Sequence, residues 1–234
     1  MAGKLILIPT TLGDENPYNV LPRDIFPVIQ SVSHFFVEDV RTARRFIKKI
    51  DPERNIDSLE FFEINKRTRY ADLSEFFAKY ATEHDFGVIS EAGCPGVADP
   101  GADVVRIAHQ RGIIVKPIVG PSSILLSLMA SGMNGQQFAF AGYIPVKHPA
   151  RGKTIKHLEH RAYYEDQTQI FIETPYRNNS LMQDLVRSLD EKTRLCVACD
   201  LTLETEYIAT KPVREWKKGL PDLHKRPAIF LIGK

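Results

Sequence analysis

Residues 86–115 read FGVISEAGCPGVADPGADVVRIAHQRGIIV. The run Phe86–Ile89 is almost wholly apolar, as a parallel strand covered on both faces requires. A helical pattern follows over 101–111, and a second strand candidate spans Ile113–Val119. Strand, helix and strand in this order form a right-handed crossover unit of a parallel sheet. Between the first strand and its helix lies a long loop with Gly93, Gly96, Gly101, Pro95 and Pro100. Connections of this kind usually run about two to six residues, so the extra length points to a ligand. Glycines let a backbone approach a ligand closely, and prolines hold a loop in one shape. The loop leaves the carboxyl end of a strand, where open α/β sheets bind their ligands. Its glycine spacing is not that of the dinucleotide fingerprint.

The same alternation extends outward. Strand candidates lie at Leu5–Ile8, His34–Glu38 and Leu59–Ile64, and helical patterns at 40–50, 67–82 and 121–132. Within 67–84, Tyr70, Leu73, Phe76, Phe77 and Tyr80 recur at spacings of three and four and form one stripe. A second loop, VGPSS (119–123), places Pro121 at a helix start, where no amide donor is needed. Ser122 and Ser123 there serve either as caps or as ligand hydroxyls. From Phe138 the strands 138–143, 168–173, 194–200, 205–210 and 227–232 have helices only at about 151–161 and 177–189, which favours a mixed sheet. The cluster Gly132, Asn134 and Gly135 marks the boundary. The fold class is therefore two α/β domains: 1–135 with a mostly parallel sheet and flanking helices, and 136–234 with a mixed sheet.

The 234 residues are 43% hydrophobic and 26% charged, an ordinary globular composition that suits two small cores. No apolar run approaches the roughly 20 residues of a membrane span. The N-terminal MAGKLILIPTT reads as a first strand rather than a signal peptide. Three cysteines argue against a disulfide framework and for a reducing, cytoplasmic setting. Net charge is only +2, yet the basic residues cluster. Segment 41–49 carries Arg41, Arg44, Arg45, Lys48 and Lys49 without an acid. Segment 147–161 carries Lys147, Arg151, Lys153, Lys156 and Arg161 against Glu159 alone. Each is either a solvated helix face or a footprint for phosphates. Glu173 and Arg177 read either as base and phosphate anchor or as a mutual ion pair. Cys196 and Cys199 fall on opposite sides of a buried strand, which does not make a zinc pair. His157 and His160 read as surface histidines, and Trp216 as a packing anchor.

These stretches carry a resemblance. The chain resembles the tetrapyrrole methylase superfamily and, within it, the ribosomal RNA small subunit methyltransferase I family, which methylates a cytidine ribose 2′-hydroxyl. FVEDVRT (36–42) is similar to the family's segment after the second strand, and ISEAGCPGVADPGADVV (89–105) to its most characteristic loop. IVGPSSILLSLMASGM (118–133), FAGYIPVKHPARGK (140–153) and FIETPYRNN (171–179) follow in the family's order. The first loop, IPTTLGD, departs from a glycine-rich pattern and matches only at Gly13-Asp14. The resemblance implies S-adenosylmethionine held in a cleft between the domains. It places Ala92, Gly93, Cys94 and Val97 around the methionine and ribose parts, adds Ser122 and Ser123, and more loosely Leu12 and Thr202. It implies ribosomal RNA or the small ribosomal subunit as partner, a homodimer, no membrane and no metal. A small-molecule C-methyltransferase of the tetrapyrrole type and a non-catalytic cofactor-binding regulator are the alternatives.

Overall fold

In the computed structural model, which describes residues 3–65, 67–80 and 84–234, the first sheet is built from β1 (Lys4–Ile8), β2 (His34–Val37), β3 (Glu60–Glu63), β4 (Phe86–Ile89) and β5 (Ile114–Pro117). All its pairings are parallel, in the order β3-β2-β4-β1-β5. Every residue of β2 and β4 is buried, so helices must cover both faces. On one face Ile6, Ile8, Phe35, Val37 and Ile89 pack with α1 (Ile25–Ser31) and α2 (Val40–Ile50). On the other, Leu5, Phe36, Phe86 and Val88 pack with α3 (Tyr70–Tyr80) and α4 (Ala102–Gln110). Alternate strand residues divide between the two cores, as the two-residue period dictates. A Cβ on Gly87 would lie 2.7 Å from the Phe35 ring, so that ring can cross β4 only over a glycine.

The expected helix over 67–82 is α3, and residues 81–83 lie outside the described ones. Helix α1 was not anticipated from the sequence. Its Pro27 discourages a helical reading, yet it sits in the first turn, where the missing amide costs no intrahelical bond.

The second sheet runs β6-β7-β10-β8-β9, from β6 (Phe138–Tyr143), β7 (Thr168–Ile172), β8 (Arg194–Cys199), β9 (Tyr207–Pro212) and β10 (Ala228–Gly233). Only β6 and β7 pair in parallel; the other pairs are antiparallel. One face packs with α6 (Ala150–Tyr164), α7 (Asn178–Ser188) and the short α8 (Val213–Trp216). The other receives α5 (Ser123–Ser131) through Leu128 and Ile124. Trp216 is fully buried and donates its indole N–H to the Leu195 carbonyl at 3.0 Å, a packing anchor. Cys196 and Cys199 enter opposite cores.

By contacts the chain divides into residues 1–122 and 123–234. The boundary expected at 135 falls earlier because α5 packs on the second sheet. The glycine cluster at 132–135 is a turn inside the second unit. Among the described residues no helix is long and apolar enough to cross a membrane.

Candidate functional site

Because β1 lies between β4 and β5, the loops leaving these three strands are neighbours at one edge of the first sheet. They are laced together by the backbone. Thr10 donates its amide to the Gly93 carbonyl at 2.9 Å, and Gly93 donates back to Thr11 at 3.4 Å. The Cys94 thiol points at the Pro121 carbonyl, 3.4 Å away. Burial pushes that thiol's pKa up, so Cys94 remains a protonated, weakly donating group and no nucleophile. Gly93 has φ +72°, and a Cβ there would lie 3.1 Å from both Leu12 Cδ2 and the Pro121 carbonyl. The glycine is needed, but the space it spares is filled by the protein's own loops. At the third loop the fit is tighter: a Cβ on Gly120 would lie 2.1 Å from Pro9 Cβ.

The structure thus brings Leu12, Gly93 and Cys94 together. Ala92 and Val97 share their loop and are exposed, Val97 to 47%. Ser122 follows Pro121 and is half-buried. Ser123 and Thr202 belong to the second unit. There Ser123 opens α5, while Thr202 follows β8 in the left-handed region at φ +74°. Its amide donates to the Glu206 carboxylate at 2.8 Å. Asp200, also left-handed at φ +51°, accepts from Arg226 Nε at 2.8 Å.

Three carboxyls gather around the long loop, a feature not legible in the sequence. Burial raises the pKa of Glu38, at the end of β2, with the charges of Asp99 and Glu91 adding to it. Burial likewise raises Asp99, with Glu91 next, while the Ser90 hydroxyl acts in the opposite sense. Like charges in a shielded site resist ionising together. The loop itself, Ser90–Gly101, contains no lysine or arginine.

On the other side of the β1 loop is α2. Lys49 donates to Asp14 and to the Glu15 carbonyl, both at 2.8 Å. The Lys49 bond pulls the Asp14 carboxyl below its usual range. The Glu15 carboxylate in turn accepts the amides of Leu12 and Gly13 at 3.3 and 3.0 Å. A cleft of about 270 Å³ lies between these elements, lined by Thr10, Gly13, Thr42, Arg45, Phe46 and Lys49 among others.

In the second unit, Arg151 is not a surface cation. Its side chain is 2% exposed and donates to Glu173 at 2.5 Å, Asp184 at 3.1 Å and the Pro145 carbonyl at 2.8 Å. This removes it from any phosphate footprint over 147–161. Lys156 pairs with Glu159 and Arg161 with Glu165. Lys147 and Lys153 remain exposed and enter no ion pair among the described residues. Glu173 also accepts from Arg177 at 2.7 Å and from the Thr174 amide at 2.8 Å. Both carboxylate oxygens are therefore occupied by donors, and the mutual-pair reading of Glu173 and Arg177 is the one observed.

Comparison with known proteins identifies the lineage. The family Tetrapyrrole (Corrin/Porphyrin) Methylases matches residues 18–217. A ribosomal RNA small subunit methyltransferase I of Escherichia coli O157:H7 is 27% identical over 233 residues, 98% of this chain and 77% of the relative. One from Xylella fastidiosa is 30% identical over 201 residues, 86% of this chain and 69% of the relative. Among solved structures, the methyltransferase CobJ superposes with a TM-score of 0.63 at 15% identity, covering 99% of this chain and 94% of that one. A uroporphyrin-III C-methyltransferase from Thermus thermophilus complexed with S-adenosylhomocysteine does so with a TM-score of 0.53 at 16% identity, covering 99% and 98%. With the family matched over most of its length and the fold shared from end to end, the chain belongs to the tetrapyrrole (corrin/porphyrin) methylase family and is an S-adenosylmethionine-dependent methyltransferase.

Proposed function

We propose that the protein methylates a ribose 2′-hydroxyl in small-subunit ribosomal RNA. The observation that carries this reading is the alignment, over 98% and 86% of the chain, to relatives named ribosomal RNA small subunit methyltransferase I. The cofactor contacts we assign are Leu12, Ala92, Gly93, Cys94, Val97 and Ser122 from the first unit, with Ser123 and Thr202 from the second. Two features support the fit. The loops around Gly93 are fixed by their own hydrogen bonds, and the carboxyls of Glu38, Glu91 and Asp99 suit a ligand that carries a positive sulfonium.

S-adenosylmethionine supplies, when bound, a methyl group on sulfur that is open to in-line displacement. The chain's own task is to hold the acceptor oxygen on that line, because positioning accounts for much of the rate of such transfers. The hydroxyl proton also needs an acceptor. Glu173 is unsuited, since guanidinium and amide donors saturate it. Glu38 and Asp99 stand beside the same loop, each raised above the usual carboxyl range by burial first and by neighbouring carboxylates next, and are the acceptors we assign instead.

The test is tritiated-methyl transfer to small subunits from cells lacking the protein, followed by digestion to nucleosides. Label in a 2′-O-methylnucleoside supports the reading; label absent from RNA but present on a supplied tetrapyrrole overturns it. A cytoplasmic homodimer completes the proposal, and light scattering of the purified protein tests the dimer.

A further inference from the structure

Helix α2 buries Ala43, Ile47 and Ile50 and turns Arg41, Arg44, Arg45, Lys48 and Lys49 outward. No acid lies on the helix. Two hollows flank it. One is the 270 Å³ cleft at the strand ends, lined by Arg45 and Lys49. The other, on the outer flank, is a groove of about 480 Å³ lined by Arg44, Arg45, Lys48 and Arg54 together with the acids Glu53 and Asp57. Arg45 lines both.

These cations are not equivalent. Lys49 is committed to the β1 loop through Asp14 and the Glu15 carbonyl. Arg54 is committed to the carbonyls of Gln30 and Val32. Arg44 pairs with Asp57, whose side chain is 88% exposed, and such a pair gives way readily to a better anion. Arg45 enters no ion pair among the described residues and is exposed. From Arg41 to Lys48 the helix rises about 10 Å at about 1.5 Å per residue. That length matches about three nucleotide steps of one strand at about 3.4 Å each. No large apolar side chain is exposed between Val40 and Asp57, so the face lacks what a lipid surface would insert.

We infer that the outer face of α2 is a phosphate rail, which leads the acceptor RNA strand from the groove over Arg45 into the cleft at the ends of β1 and β4. The inference rests on the ribosomal RNA reading and adds the path by which the strand arrives. Arg45 is a positioning residue that grips the phosphate beside the reacting nucleotide and does not touch the cofactor.

Small-subunit RNA is titrated against wild type, Arg45→Glu, Arg45→Ala and Arg45→Lys by filter binding across a salt series, alongside calorimetric titration with S-adenosylmethionine. Arg45→Glu is expected to weaken RNA binding at least tenfold at low salt and Arg45→Ala by less. Each reduces the log–log salt slope by about 0.7 to 0.9, the increment of one phosphate. Arg45→Lys retains the slope, and cofactor affinity stays within twofold throughout. Wild type binding RNA with an unchanged slope in both Glu and Ala variants overturns the rail. Loss of cofactor affinity in Arg45→Ala overturns it as well, because the residue then belongs to the cofactor site. Wild type that neither binds RNA nor methylates small subunits instead overturns the function on which the rail rests.

Discussion

Replacing Arg151 with alanine should destabilise the second unit by about 3 kcal/mol. The guanidinium is 2% exposed and lies against Glu173 and Asp184, whose side chains are 1% and 9% exposed. Breaking a buried pair by removing one partner costs about 3–5 kcal/mol, because the other charge is left uncompensated. The residual partners decide where in that range the value falls. Glu173 keeps Arg177 and the Thr174 amide. Among the described residues, Asp184 keeps only the exposed His148 at 3.4 Å and Arg187 at 3.8 Å as ionic partners. The lower end follows.

Urea unfolding is read from the fluorescence of Trp216, the chain's one tryptophan, buried in the same core. With a slope of about 2 kcal/mol per molar, the midpoint should fall by about 1.5 M. The pH dependence gives a second reading. Burial pushes the Glu173 carboxyl up, but Arg177, the Thr174 amide and Arg151 together hold it below the usual range. A depressed carboxyl contributes stability that is complete above its unfolded pKa of about 4.3 and is lost as pH falls through the folded value. The gap between wild type and variant should therefore be widest near neutrality and narrow as pH falls through the folded Glu173 value. Arg151→Met combined with Glu173→Gln and Asp184→Asn should recover much of the loss. A neutral-pH difference under about 1 kcal/mol, or one that does not change with pH, would refute the buried-network account.

Three further outcomes are expected. Gly93→Val places a branched side chain at φ +72° against Leu12 and Pro121, so affinity for S-adenosylmethionine should fall by about tenfold or more, given a strain of about 1–3 kcal/mol. Calorimetry of the folded variant showing undiminished affinity removes this loop from the site. Glu38→Gln with Asp99→Asn should stabilise the first unit at neutral pH. Carboxyls raised by burial and by neighbouring carboxylates cost stability once ionised, and the gain should vanish as pH falls through their folded pKa values. Thermal melts showing the opposite trend would exclude a like-charge group. Finally, because the Cys196 and Cys199 thiols enter opposite cores of one sheet, purified protein should carry no stoichiometric zinc by metal analysis.

Most elements of both sheets could be read from periodicity, because β2 and β4 are buried on both faces and α3 keeps a clear stripe. Which sheet a helix joins was another matter. Helix α5 looks like the tail of the first domain until its packing on the second sheet is seen. The basic run over 147–161 could have been read more finely, since Arg151 shares the buried face with Ile155, Leu158 and Ala162 at spacings of four, three and four. At Gly93 the sequence correctly demanded a glycine, but the neighbour it spares is Leu12, eighty-one positions away. Glu38 and Asp99 meet only because β4 pairs with β2, and no local pattern encodes that juxtaposition.

The lacing of the Ser90–Gly101 loop bears on the thermodynamics of recognition. Its amide at Gly93 and the Thr10 amide bond across to each other's loops, Cys94 leans on Pro121, and Gly101 packs against Gly96 and Val88. Fixing a free residue costs about 1–2 kcal/mol of conformational entropy, and a loose loop of this length would meet that cost at each encounter with ligand. Here it has been met once, during folding. Ligand capture should consequently show a small entropic penalty and a fast, single-step approach. Cutting one of the lacings should appear first as an unfavourable shift in binding entropy, with the contacts of the final complex unaltered.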